Sequence, residues 1–326
     1  MRTLIINAGG ESARLKDVFA LPLGKSWLEV QNKPILIRNI EHFLSEVAEI
    51  VIIVQNASFI SLFEKELAKY GYYQADIEKV RIISEDSDSI PSGPNRGICT
   101  GIQSAQNEIL WFMPCDHPFV SPNMFKTLED YLTDQNIVSL HNGPFMFEPQ
   151  LFVSYHHTLV QFIPYLSDLP IDLYRLIPKS VFIPANNKES KLALLGINSV
   201  IELANLSKRI KKIQDGAFKT DLQLQKMNRV TISLPSLENR LELTLIQELY
   251  DQGHFYLLER LFELYQYAKP PIPLKDLYFQ EWQQWQDVCP LIAFHCAVKL
   301  LRVKLDSKTY LKVNEFVTDW KKRFGK

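Results

Sequence analysis

The sequence lacks the marks of a membrane-spanning, secreted or nucleic-acid-coating chain. Four cysteines in 326 residues are too few for the disulfide framework of a secreted domain. Neither charge sign is in excess: 36 Lys and Arg stand against 37 Asp and Glu, a formal net charge of -1. The global basic footprint of a nucleic-acid binder is therefore missing, although a local patch stays open. No apolar run approaches the roughly 20 residues of a membrane-spanning helix. The stretch Met1 to Gly10 is too short and too glycine-rich at its end for a secretory segment. A reducing cytosol, no membrane and no nucleic acid are the expectations. There is no internal repeat and no low-complexity tract. The dinucleotide pattern GxGxxG is absent. So is the P-loop: Gly24-Lys25-Ser26 has its ending, but Phe19 stands where its first glycine belongs.

What remains is ordinary globular composition, 46% hydrophobic and 22% charged, at a length that suggests about two domains. Short apolar runs alternate with amphipathic stretches through the first half. Leu4 to Ile6, Ile50 to Val54, Val80 to Ile83 and Glu108 to Met113 read as strands. Pro34 to Val47, Ile60 to Lys69 and Ile98 to Gln106 read as helices. This alternation predicts a Rossmann-like three-layer α/β/α domain with a parallel sheet buried on both faces. The pattern shifts near Ala204. Ser207 to Lys219 is a Lys-rich linker or exposed helix. Leu241 to Tyr267, Trp282 to Leu301 and Tyr310 to Arg323 have helical spacing, with a break at Pro270-Pro271-Ile272-Pro273. The expected division is 1–204, α/β, and 205–326, mainly helical.

Three groups of residues carry chemistry. The first strand opens into Asn7-Ala8-Gly9-Gly10, where paired glycines let backbone N–H groups approach an anion; an ordinary tight turn gives the same pattern. Arg14 and Lys25 add two cations beside that loop, suited to a polyphosphate whose charge grows in the transition state, or else simply exposed. Pro114-Cys115-Asp116-His117-Pro118-Phe119 follows a buried strand. Open α/β sheets bind ligands at such carboxyl ends, and Asp116 fits the partial carboxylate set that Mg2+ takes; a turn or helix-capping aspartate is the alternative. His117 is read as structural or merely exposed.

These segments, in this order, resemble the MobA-like nucleotidyltransferases, which include the molybdenum cofactor guanylyltransferases. Ala8 to Lys25 is similar to their AGGxSxRxGxxK signature, and Trp27 to Leu36 to the LLxVxGKPLL that follows. Residues 114–119 resemble PCDxPF. Gly93-Pro94-Asn95-Arg96-Gly97-Ile98 resembles GPLAGI, and Pro144 to Phe147 resembles the HPLxAxY strand. Leu195 to Leu203 resembles NINTPEDL, with Asn198 on the second Asn, Gly196 in place of the first and Val200 in place of the Pro. The resemblance runs from Arg2 to about Ala204. It departs at the spacing from Arg14 to Lys25, 25 − 14 = 11 residues, which is longer than the guanylyltransferase signature and closer to sugar-1-phosphate nucleotidyltransferases.

The resemblance implies transfer of a nucleoside monophosphate from an NTP to a phosphorylated acceptor, with release of pyrophosphate. GTP and molybdopterin are the favoured pair; CTP, or a sugar or other small phosphorylated acceptor, is the alternative. It implies nucleotide contacts at Asn7, Ala8, Gly9, Gly10, Arg14, Lys25, Gln55, Asp86, Gly93 and Asp116. Arg14, Lys25 and Asp116 are the implied catalytic residues, and Mg2+ the implied cofactor, on Asp116 with help from Asn198. Asp86 also reads as a solvated loop acid. A non-catalytic nucleotide sensor is the reading from another class, and the helical part could bind a protein partner. Cys289 and Cys296, with His295 between them, lack the close spacing of a zinc site. His156-His157 has no acid partners at ligand spacing. Lys208, Arg209, Lys211 and Lys212 read as a solvated face.

Overall fold

The computed structural model describes residues 1–10, 24–72, 79–85, 93–143, 147–216, 221–234 and 241–324. Among these residues eight strands form one sheet: β1 Arg2–Asn7, β2 Glu49–Val54, β3 Val80–Ser84, β4 Ile109–Pro114, β5 Asn136–His141, β6 Phe147–Tyr155, β7 Lys179–Pro184 and β8 Gln225–Asn228. Their order is β3-β2-β1-β4-β6-β5-β7-β8. The half β3-β2-β1-β4 is parallel, as its apolar strands predict. The other half is mixed: β6 runs antiparallel to both β4 and β5, β5 and β7 are parallel, and β8 closes the edge antiparallel to β7. The chain adds β2 and β3 on one side of β1 and then returns to place β4 on the other. That switch opens a crevice at the carboxyl ends of the strands.

Side chains alternate between two apolar layers. Ile5, Val51, Ile53 and Phe112 face one; Leu4, Ile6, Ile52, Trp111 and Met113 face the other. The second face is covered by α1 (Ile35–Phe43), α2 (Ser58–Lys69) and α4 (Pro122–Glu129), while α3 (Asn95–Ser104), between α2 and α4 in the chain, packs on the other side. Trp111 stacks on Phe125 of α4 at 5.0 Å between centroids. The first face is covered by α3, by α5 (His156–Val160) and by α6 (Asp172–Leu176). Two glycines let α3 lie close on β1. A Cβ on Gly101 would stand 2.5 Å from Ile5 Cγ2, and one on Gly97 2.5 Å from Asn7 Oδ1. The start of α3 is thereby drawn to the end of β1.

The remaining helices are α7 (Lys188–Ala193), α8 (Val200–Ala204), α9 (Leu206–Gln214), α10 (Leu243–Asp251), α11 (Phe255–Leu264), α12 (Leu274–Trp285), α13 (Pro290–Leu300) and α14 (Ser307–Phe324). Two expected helices are each divided. Leu241 to Tyr267 breaks at Gly253, whose φ of 79° is a left-handed helix stop. Trp282 to Leu301 breaks before Pro290, which begins α13 and could not have continued α12. Beyond residue 204, where the composition shifts, the chain still contributes β8 to the sheet. The helices after it share one apolar core with the sheet: Trp282, Trp285 and Leu258 belong with Tyr174 and Phe182.

A sealed ionic cluster ties α6 to these helices. Arg175 donates to both oxygens of Glu281 at 2.7 and 2.8 Å and to Asp172 Oδ1 at 3.0 Å. It lies 3.6 Å from Glu259 Oε2 and 3.6 Å from the centre of the Tyr256 ring, and Lys299 pairs with Glu259. Arg229 donates to the carbonyls of Arg175 and Ile177, both at 2.6 Å, and of Tyr174 at 3.2 Å, capping α6.

Candidate active site

A cavity of about 610 Å³ opens at the carboxyl ends of β1 to β4. It gathers Asn7, Gly9, Gly10, Lys25, Gln55, Gly93, Asp116 and Asn198, eight of the expected site residues, from segments up to 191 positions apart (198 − 7). Arg14 and Asp86 lie outside the described residues. Ala8 continues the ladder, donating from its N–H to Ile53 O at 2.8 Å, and does not line the cavity.

The structure separates the two glycines. A Cβ on Gly9 would overlap the Glu85 carboxyl, whereas one on Gly10 would meet nothing within 4 Å. Close packing demands the first glycine, and the second faces open space. Asn7 braces the turn: its Oδ1 accepts from Gly9 N at 3.3 Å and its Nδ2 donates to Gln150 Oε1 at 2.8 Å.

Lys25 begins a short 3-10 turn after Gly24, whose φ is 78°. Its ammonium donates to Asn198 Oδ1 at 2.8 Å and Asp116 Oδ2 at 3.2 Å. Asp116 is only 8% exposed. It is set in place by Cys115 N, which donates to Asn7 O at 3.1 Å, and by its own carbonyl, which accepts from Ile197 N at 3.0 Å. The second bond also delivers Asn198, whose N–H donates to Glu202 Oε2 at 2.6 Å. Two side-chain oxygens thus converge on the Lys25 ammonium. An all-oxygen pair of this kind suits a hard divalent ion completed by phosphate and water oxygens. Among the described residues no three His, Cys, Asp or Glu side chains form a closed metal site.

His117 does not line the cavity. Its ring occupies the space that a side chain at position 196 would need, which explains the glycine that departs from the NINTPEDL pattern. Burial lowers its pKa, against the pull of the Asp116 charge, so the ring is neutral at neutral pH.

Two further carboxylates face the cavity, and sequence reasoning missed both. Glu148 and Gln150 enter from β6. Phe112 pairs with Phe152, and beyond that last pair Gln150 and Glu148 of β6 both line the cavity. Burial first, and then the Asp116 charge, push the Glu148 carboxyl up to about 7. Glu85 follows β3, its N–H donating to Val54 O at 2.8 Å. Burial pushes its carboxyl up to about 7 against the opposing charge of Arg96, in the first turn of α3. The local signals were present, since Glu85 precedes Asp86 and Arg96 lies within the segment similar to GPLAGI, but only the fold turns them inward.

The MobA-like NTP transferase domain family matches residues 4–168. The chain belongs to this family. The MobA-like match stops just before α6 and leaves Asn198 and the C-terminal helices outside it. A probable molybdenum cofactor guanylyltransferase from Geobacillus sp. (strain WCH70) is 26% identical over 143 residues, covering 43% of this chain and 63% of that protein. The chain therefore spans less than two thirds of that relative's length. A nucleotidyl transferase from Methanothermobacter is 17% identical, with TM-score 0.48, over 65% of this chain and 98% of its own. Molybdopterin-guanine dinucleotide biosynthesis protein A from Archaeoglobus fulgidus is 16% identical, with TM-score 0.45, over 66% and 100%. Among the described residues no helix is long and apolar enough to cross a membrane. All four cysteines are free thiols.

Proposed function

We propose that this MobA-like chain transfers a nucleoside monophosphate from an NTP to a phosphorylated acceptor, with GTP as donor and molybdopterin as acceptor. The observation that carries this reading is the convergence of Lys25, Asp116 and Asn198 on one point beside Gly10. An acceptor phosphate oxygen attacks the α-phosphorus, the bond to the bridging oxygen breaks, and pyrophosphate leaves. That nucleophile is already ionised at neutral pH, so no general base is required, consistent with a neutral His117 behind the cavity. The turn at Gly10, where a Cβ would meet nothing within 4 Å, receives phosphate oxygens. Lys25, preorganised by Asp116 and Asn198, neutralises charge on the phosphates as the transition state forms. Positioning of the two substrates in line supplies much of the rate.

The cavity's described side chains carry two positive charges, Lys25 and Arg96, against three carboxylates, Glu85, Asp116 and Glu148. A triphosphate therefore needs further cationic charge. Asp116 and Asn198 would hold Mg2+, which when bound supplies Lewis-acid polarisation and orients the phosphates. The eleven-residue spacing from Arg14 to Lys25 (25 − 14) favours, as a second reading, CTP or a sugar phosphate in place of the guanylyl pair.

The test is pyrophosphate release with each NTP and Mg2+ across molybdopterin and sugar-phosphate acceptors. Asp116→Ala should abolish turnover while far-UV circular dichroism and the unfolding midpoint stay near those of the parent. Activity that survives this change removes Asp116 from its role. No turnover with any acceptor, together with NTP-dependent thermal stabilisation, favours a nucleotide sensor.

A further inference from the structure

The β1 loop divides the cavity. Lys25, Asp116 and Asn198 gather on the β4 side. Gln55, Glu85 and Arg96 stand on the β2–β3 side, with α3 packed over β1, β2 and β3. The carboxyl of Glu85 lies against Gly9, a placement hostile to phosphate oxygens. Phosphates therefore belong with Gly10 and Lys25, and the base belongs with Glu85. Arg96 faces the same space and couples to Glu85 through its charge, but no hydrogen bond joins the two among the described residues. Arg96 Nε is buried with no hydrogen-bond partner among those residues. A buried guanidinium donor left unfilled costs free energy until something accepts from it.

We propose that Glu85 and Arg96 read the base and select guanine, a specificity that rests on the nucleotidyltransferase reading above. A carboxylate only accepts hydrogen bonds, and it can accept two side by side. Guanine offers two adjacent donors, N1–H and the 2-amino group, on one edge. On the next edge it offers two acceptors, O6 and N7, which a guanidinium takes as a pair. Adenine puts an amino donor where guanine has O6. Uracil flanks its single N–H with two carbonyls, and cytosine offers an amino donor beside a ring acceptor. Guanine is the base that satisfies an anion and a guanidinium on neighbouring edges together.

The experiment is calorimetric titration of the full chain, in Mg2+ buffer, with GTP, ITP, 7-deaza-GTP, ATP, CTP and UTP. ITP lacks only the 2-amino group, and 7-deaza-GTP lacks only the N7 acceptor. The parent protein should bind GTP about tenfold or more tighter than ITP and tighter than the other three natural NTPs by at least as much. Glu85→Gln should bring GTP and ITP to within about twofold of each other. Arg96→Met should erase the advantage of GTP over 7-deaza-GTP. The ITP and 7-deaza-GTP comparisons on the unsubstituted protein keep the proposal testable if a variant fails to fold. Equal affinity of the parent for all four natural NTPs overturns guanine selection and leaves the transferase reading standing. A uniform loss across all nucleotides in Glu85→Gln or Arg96→Met overturns base reading by that residue. No binding of any NTP by the parent overturns both readings.

Discussion

Two ionic clusters of similar composition have opposite surroundings. Arg175 meets Glu281, Glu259 and Asp172 inside the protein, with every one of these side chains at most 3% exposed. Lys25 meets Asp116 and Asn198 at the wall of a cavity, its side chain 18% exposed. Arg175 spends its guanidinium on a bidentate pair and two further acids. Lys25 holds Asp116 by a single contact of 3.2 Å and faces space that a ligand can fill. Ion pairs sealed on all sides hold elements together. Ion pairs with one side open can exchange partners, which a transferase needs when its substrate arrives charged. The α6 helix touches both regions: Arg175 belongs to the sealed cluster, while the neighbouring Tyr174 hydroxyl donates to Pro149 O at 3.2 Å, between the two cavity residues of β6.

The largest expected effect comes from breaking the sealed cluster. Arg175→Met leaves Glu281 and Glu259 buried beside too little positive charge and should cost about 3–5 kcal/mol, read from urea unfolding. Adding Glu281→Leu should restore part of it. A loss below about 1 kcal/mol would place Arg175 among ordinary surface pairs and end the comparison.

The matching change in the open cluster is Lys25→Ala. It should lower kcat on the order of a hundredfold, the scale of one preorganised charge stabiliser, with the urea midpoint nearly unmoved. An unchanged kcat with lost stability would make Lys25 structural.

A smaller effect follows from pH. His254 has no exposed surface, and its Nε2 lies 2.7 Å from Val230 O. Burial, aided by the Arg229 charge, lowers its pKa to about 4, whereas an unfolded histidine titrates near 6.5. Between these values the unfolded chain binds more protons, so stability falls as pH drops through 6.5 and this contribution levels off below about 4. The loss from this group between pH 6.5 and 5.5 should be about 1 kcal/mol. Unfolding series at several pH values should show that slope diminished in His254→Asn.

The smallest effect should sharpen the link between the two regions. Tyr174→Phe removes one hydrogen bond to Pro149, worth about 1 kcal/mol of stability. It should also raise a substrate KM, because Glu148 and Gln150, which line the cavity, flank that carbonyl in the chain. Unchanged KM values would mean that Tyr174 serves packing alone.

Half of the cavity could be read in advance because its signals are local. An apolar strand ending in Asn7-Ala8-Gly9-Gly10, and another ending in Pro114-Cys115-Asp116, each announce a functional end within a few residues. Asn198 emerged from motif order, and in the structure its Oδ1 accepts from Lys25. Glu148 and Gln150 stayed hidden because their place depends on antiparallel pairing with β4, and a register shift of one residue would turn both away. Glu85 was hidden for another reason: in the chain it is one acid among Glu85, Asp86 and Asp88, and only its approach to Gly9 distinguishes it. Arg14 and Asp86 lie outside the described residues, so their expected contacts remain proposals.

Taken alone, the order of residues determined the parallel half of the sheet, the glycine turn and the cation and acid at its rim, because periodicity, turn chemistry and strand ends act over short stretches of chain. Tertiary structure alone decided that β6 lends the cavity a second acid, that β8 carries the sheet past the change in composition, and that Arg175 is sealed while Lys25 lines a cavity. Those outcomes depend on which distant surfaces meet and on how much water is excluded where they do.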